Sequence, residues 1–197
     1  ILIELFRQVE EGRLSLDARC RLGEGISSHG TGVLKLLEDG PELTLHDCCR
    51  LMIGVSDNMA TDLLLKAVGL EAVNMTLDAL GFVRTRVNLS MGRWHYLMVG
   101  MAEEPCNREN DALMLEKVRA CGIEYDRLPF QDAPENNVTT AREMGEVLEQ
   151  LCEGRIVSSE ASADMVEMLK RFVTPDAGAA AIERIKLISS SVIRVLL

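Results

Sequence analysis

Apolar residues recur at intervals of three and four along most of this chain, the period of helices that bury one face. At the start, Ile1, Leu2, Leu5, Phe6 and Val9 share such a face, which predicts a helix over Ile1–Glu11 with Gly12 as its stop. "LTLHDCCRLMIGV" begins with Thr44 and carries Asp47 three residues later, a capping-box arrangement that predicts a second helix. Asp57–Val68 and Glu71–Leu80 read as two more, with Gly69 and Gly81 at their C-terminal ends. Arg108–Ala120 is a further amphipathic segment. The clearest pattern is "TTAREMGEVLEQLCEG", in which Thr140 caps, Glu143 completes the box and Gly154 ends the helix. Helices over Ser159–Phe172 and Ala179–Ile188 follow. Only the terminal "SVIRVLL" has the β-branched composition of a strand. A lone strand has no stability by itself, so its partners are expected outside this sequence.

Composition narrows the class. A length of 197 residues fits one domain or one large lobe of something bigger. The hydrophobic share of 47% and charged share of 26% are those of a globular protein. Aromatic residues make up only 4%, which suits helices packed on helices through Leu, Met, Val and Ala. A net charge of −10 with no Lys/Arg cluster argues against nucleic acid and anionic membrane as partners. No apolar run approaches the roughly 20 residues needed to span a bilayer. The chain has no initiator Met and no signal segment, and "ILIELFRQ" starts inside an apolar pattern, so a fragment is expected. Cys20, Cys48, Cys49, Cys106, Cys121 and Cys152 show no C-x-x-C or His spacing for zinc. They read as small apolar residues, and disulfide pairing carries no signature.

Candidate chemistry centres on Ser56-Asp57-Asn58, set between "LMIGV" and an apolar helix. By itself the triplet reads as an N-cap, since all three side chains accept the free N–H groups of a helix start. His29, His46 and His95 are scattered, and none pairs with a Ser or Asp at readable spacing. "GEGISSHGTG" lacks the Lys and strand of a phosphate loop and reads as a surface loop. Trp94 and Tyr96 fit the lining of a cleft, though an apolar anchor for the loop is the commoner role.

Longer blocks change the weight of the triplet. "ILIELFRQVEEGRLSLDARCRL" is similar to the helix and turn after the S-x-x-K nucleophile motif of class A β-lactamases, part of the penicillin-recognising serine hydrolases. "LTLHDCCRLMIGVSDNMATDLLLKAVG" resembles that family's S-D-N region, and "LDALGFVRTRV" the turn leading to its active-site loop. "NNVTTAREMGEVLEQL" and "IVSSEASADMVEMLKR" resemble two further helices in the same order. The resemblance covers most of the chain except about Asn88 to Asn136. It implies a mainly α chain, the helical lobe of the α+β β-lactamase/transpeptidase-like fold, with the sheet-forming termini largely missing. Residues 1–197 would be one partial catalytic domain, with 88–136 a divergent or inserted active-site loop region.

The resemblance also implies roles. Ser56 would be the second active-site hydroxyl, relaying a proton to the leaving nitrogen. Asn58 would bind the substrate's side-chain amide and help hold the catalytic Lys, and Asp57 would tie down the loop. The substrate would be a β-lactam or a related amide or ester, attacked by serine to form an acyl-enzyme, with neither metal nor cofactor. Family members are usually periplasmic or secreted.

Three departures qualify this. The nucleophilic Ser and its Lys would lie about five and two residues before Ile1, and K-T-G would follow Leu197. The chain as printed is therefore expected to be inert, since an acyl-enzyme needs nucleophile, base and oxyanion hole together. The deacylating Glu is expected near Met91, yet no acid occurs from there until Glu103 and Glu104, in a turn that reads as solvated. That gap keeps two alternatives open, a penicillin-recognising peptidase or esterase on the same scaffold and a non-catalytic decayed homologue.

Overall fold

The computed structural model describes residues 1–171 apart from 24–25, 27–29 and 38–39. The apolar periodicity becomes α1 (Leu2–Glu10), α2 (Leu45–Gly54), α3 (Asn58–Val68), α4 (Leu70–Ala79), α5 (Met91–Leu97), α6 (Arg108–Cys121), α7 (Ala141–Cys152) and α8 (Ser159–Arg171). The chain is mainly helical, as its pattern predicts. The expected helix over Ala179–Ile188 and the strand at the end lie outside the described residues.

Helix α3 runs through the middle. Met59, Ala60, Leu63, Leu64, Leu65 and Val68 are all buried, so it has no solvent face of the usual kind. Helices α1, α2, α4 and α5 pack around it, and α8 lies across α1, α2 and α7. Leu5 of α1, Met52 of α2 and Met165 of α8 are completely buried in this core. Cys48 and Cys49 join it as small apolar residues. A buried carboxylate ties α1 to α4. Glu4 accepts from Arg7 Nε at 2.7 Å, Gln8 Nε2 at 2.5 Å and Thr76 Oγ1 at 2.5 Å. Burial pushes its pKa up, but these donors outweigh burial and hold it below the usual range.

The caps follow their sequence signals. Thr44 Oγ1 accepts from Asp47 N at 3.0 Å, and Thr140 Oγ1 from Glu143 N at 3.2 Å. Gly69 and Gly81 adopt φ of +87° and +85°, a left-handed turn that glycine enters without steric cost. Glu143 departs from its expected role. Its carboxylate takes Arg84 N at 2.9 Å and Thr85 Oγ1 at 2.6 Å, so the acid bridges to the chain before α5.

Two elements go beyond the sequence expectations. Strands β1 (Arg19–Arg21) and β2 (Glu42–Thr44) pair antiparallel, with Cys20 opposite Leu43. At three residues each they are too short to show alternation. Helix α5 is the other, a two-turn helix inside the segment that lacked a readable pattern.

Residues 88–136 build a core of their own, in which Tyr96, Met98, Val99, Met101 and Met114 are buried together. Tyr96 donates from its hydroxyl to Asp111 Oδ1 at 2.8 Å and is fully buried, an anchor as its sequence context suggests. The segment leaves and rejoins the main body at one neck. Arg86 and Val138 form an antiparallel bridge there. Asn137 Oδ1 accepts from Asn88 N at 2.8 Å and Leu89 N at 2.9 Å, while its Nδ2 donates to Leu89 O at 3.0 Å. Asn137→Ala strips all three bonds from a half-buried site. We expect it to lower stability by about 2 kcal/mol in urea unfolding. Limited proteolysis should then cut first within 88–136.

Candidate active site

Between α2 and α3 the chain must turn within three residues. Val55 N and Asp57 N both donate to Leu51 O, at 3.2 and 3.1 Å, which closes α2. Ser56 absorbs the turn with φ of +53°, one of two non-glycine residues with positive φ among those described. That left-handed conformation costs a Cβ-bearing residue roughly 1 kcal/mol or more and is found where surrounding bonds impose it.

Asp57 imposes it. Its side chain is the N-cap of α3, with Oδ1 accepting from Ala60 N at 3.0 Å. Oδ2 accepts from Val33 N at 2.6 Å and Leu34 N at 2.9 Å, and the residue is 0% exposed. One carboxylate thus satisfies the start of a helix and fixes a loop 23 residues upstream. The capping that the triplet predicts falls to Asp57, not to Ser56. The Ser56 hydroxyl is half-buried and hydrogen-bonds none of the described residues.

The upstream loop was read from sequence as surface, and Thr31 is indeed exposed. Its backbone nonetheless closes over the triplet. Asn58 N donates to Thr31 O at 3.1 Å, and Thr31 Oγ1 donates to Ser56 O. Gly30 and Gly32 make this approach possible. A Cβ on Gly30 would lie 1.8 Å from Asn58 Nδ2, and one on Gly32 would lie 2.2 Å from Asp57 Oδ2. Nothing larger than glycine fits at either position. Gly30, Thr31 and Gly32 were therefore missed as site residues, though their G-x-G spacing was the available signal.

Asn58 is buried to 8% exposure and stands one turn before Asp62 on α3. The Asp62 carboxylate receives Met91 N at 2.6 Å and Gly92 N at 2.9 Å, seating the start of α5 against α3. Ser90 caps the same helix through Arg93 N at 3.1 Å. His95 follows one turn on, its Nδ1 2.6 Å from Met91 O. Its Cε1 also crowds Gly30, 2.9 Å from where a Cβ would be. The fold thus brings His95 beside the triplet, a neighbour that linear spacing did not show.

Met91, where the acid was expected, stands at the first turn of α5, with its backbone N held by Asp62. Glu103 and Glu104 lie beyond the end of α5, and neither carboxylate is hydrogen-bonded or ion-paired among the described residues. Trp94 is half-buried and stacks edge-on with His95 and Phe130, centroids 5.4 and 5.8 Å apart. Among the described residues no cluster of His, Cys, Asp and Glu could hold a metal, and no helix is long and apolar enough to cross a membrane.

The helical lobe shares its fold with solved structures of the β-lactamase-like class. The chain belongs to the Beta-lactamase enzyme family, whose model matches residues 1–189. It is similar in structure to the beta-lactamase from Sphaerobacter thermophilus DSM 20745, with 29% identity and a TM-score of 0.64 over 88% of this chain and 53% of that one. A mutant of PBP-A, solved as its acyl-enzyme complex with penicillin G, matches at 20% identity and a TM-score of 0.62, over 88% and 51% of the two chains. The chromosome-encoded beta-lactamase of Vibrio parahaemolyticus matches at 19% and 0.59, over 86% and 52%. The chain therefore spans about half the length of these structures. No curated protein matches it.

Two outcomes test this geometry. Asp57→Ala leaves three backbone N–H groups without their acceptor and should cost about 3 kcal/mol or more in urea unfolding. Asp62 has a pH signature. Burial pushes its carboxyl from 3.8 up to about 6, against the pull of the Gly92 and Met91 N–H groups. The folded state then binds the proton more tightly than the unfolded one, so this group's contribution falls as pH rises from about 4 to about 6. Asp62→Asn removes that slope. Its stability relative to the parent should improve by up to about 3 kcal/mol between pH 4 and pH 7, read from urea midpoints.

Proposed function

We propose that this chain is the helical lobe of a β-lactamase-like serine hydrolase that forms an acyl-enzyme with a β-lactam or a related amide. In this reading Ser56 supplies a hydroxyl that passes a proton to the departing nitrogen, and Asn58 donates its amide to the substrate's side-chain carbonyl. Asp57 positions both by fixing the turn. The observation that carries the proposal is the division of labour in the triplet. Asp57 alone caps α3, while the Ser56 hydroxyl is half-exposed and bonded to none of the described residues, on a strained backbone. A hydroxyl bonded to none of the described residues in that position fits a substrate-facing role. The acyl-enzyme of PBP-A with penicillin G, on the same fold, supports acyl transfer as the reaction class.

A second reading on this scaffold is a penicillin-recognising peptidase or esterase whose β-lactam adduct persists. Met91 favours it, because a thioether stands where the deacylating acid is expected and cannot take a proton from water.

The test uses a protein in which S-x-x-K precedes Ile1 and K-T-G follows Leu197. Ser56→Ala there should slow acylation by a labelled penicillin by roughly 100- to 10,000-fold. Stability should change by less than about 1 kcal/mol, since no cap is lost. Residues 1–197 alone should give no covalent adduct by intact mass. A large stability loss with unchanged acylation would return Ser56 to a structural role.

A further inference from the structure

Away from the triplet, the ladder of β1 and β2 brings two thiols together. Cys20 Sγ lies 3.4 Å from Cys48 Sγ and 3.5 Å from Leu43 O. The frame around them is held by backbone bonds. Cys20 pairs with Leu43 across the ladder, and α2 starts directly after β2. Leu45 N and His46 N then donate back to Ala18 O and Leu16 O, at 2.9 and 3.0 Å. Cys48, in the first turn of α2, therefore faces β1 at a fixed place. A disulfide needs its sulfurs about 2.05 Å apart, and these two already stand in contact at 3.4 Å. Cys20 is half-buried and reachable, whereas Cys48 is completely buried.

We propose that Cys20 and Cys48 form a reversible disulfide that joins β1 to α2. The oxidant is a small-molecule disulfide such as oxidised glutathione. The Cys20 thiolate attacks one of its sulfurs, forming a mixed disulfide and releasing one thiol. The Cys48 thiolate then attacks the Cys20 sulfur and expels the second thiol. Two protons and two electrons leave the cysteines, and the oxidant is reduced to two thiols. The second step is the slow one, because only a thiolate attacks and burial pushes the Cys48 thiol up, with Cys20, Cys49 and Asp47 adding to the rise. Cys49 is as buried as Cys48, but the sulfur contact of Cys20 is with Cys48.

The loop closed by this bond runs from Cys20 to Cys48 and contains Gly30, Thr31, Val33 and Leu34, the residues whose backbone meets the triplet. Oxidation would shorten the free chain in the unfolded state and hold this loop at its base.

The 197-residue chain treated with oxidised glutathione tests this, with no variant needed for the first readout. Peptide mapping after alkylation should show a Cys20–Cys48 cross-link about 2 Da lighter than the two reduced peptides together, whatever glutathione adds at the exposed Cys121 and Cys152. The Tm should rise by about 5–10 °C and return on reduction. Cys20→Ser, at a half-buried position, should abolish both changes. A glutathione adduct that stays on Cys20, a cross-link from Cys20 to Cys49, or a cross-link without a rise in Tm would each overturn the proposal. None of these outcomes depends on whether the chain acylates.

Discussion

The carboxylate of Asp57 joins two parts of this lobe that lie far apart in sequence. It takes three backbone N–H donors from two places far apart in sequence, one at the start of α3 and two in the loop at Val33 and Leu34. The bonds run from 2.6 to 3.0 Å, and the carboxylate itself is sealed from water. That arrangement sets the depth at which α3 enters the core and how closely Gly30 and Gly32 approach it. The left-handed turn at Ser56 follows, since Asp57 is pinned on one side and Leu51 O holds the end of α2 on the other. The strain at Ser56 is thus offset by neighbouring bonds, which leaves its hydroxyl outside the structural accounting.

A second carboxylate works in series with the first. Asp62 stands one turn along α3 and receives the first two N–H groups of α5. Its charge is disfavoured by burial and favoured by the helix start it faces, and burial wins. The α5 helix, with His95 on it, is therefore bonded directly to the helix that carries Asn58. The smaller core around Tyr96 and Met101 can then pack independently of the main one.

Local signals were legible wherever one residue does one local job. Thr44 and Thr140 cap as written, Gly69 and Gly81 take positive φ, and the amphipathic stripes of α1, α7 and α8 mark their buried faces. The family likeness of the blocks around them located the triplet. What stayed hidden is nonlocal. Glu143 looks like half of a capping box, but its carboxylate is claimed by Arg84 and Thr85 from a distant stretch, a competition that no local window contains. β1 and β2 have three residues each, too few to show a period. α5 has two turns, and its stability comes from Asp62, which lies 29 residues before Met91. The role of Gly30 and Gly32 depends on what they touch, and a surface loop rich in glycine looks the same with or without Asn58 beneath it.

The neck at Arg86, Asn88, Asn137 and Val138 has a consequence for how such a chain diversifies. Because both ends of the 88–136 excursion are gripped at one point, its connections beyond α5, which Asp62 ties to α3, can lengthen or shorten without pulling on the helices that bear the main core. The entropic charge for a longer closed loop grows only with the logarithm of its length, about 0.6 kcal/mol for each doubling. Insertions and deletions in the connections beyond α5 are therefore inexpensive for folding where they spare the buried cluster around Tyr96 and Met101. In lineages that share this scaffold, length variation should pool between these clasps, and the helices outside them should keep their register.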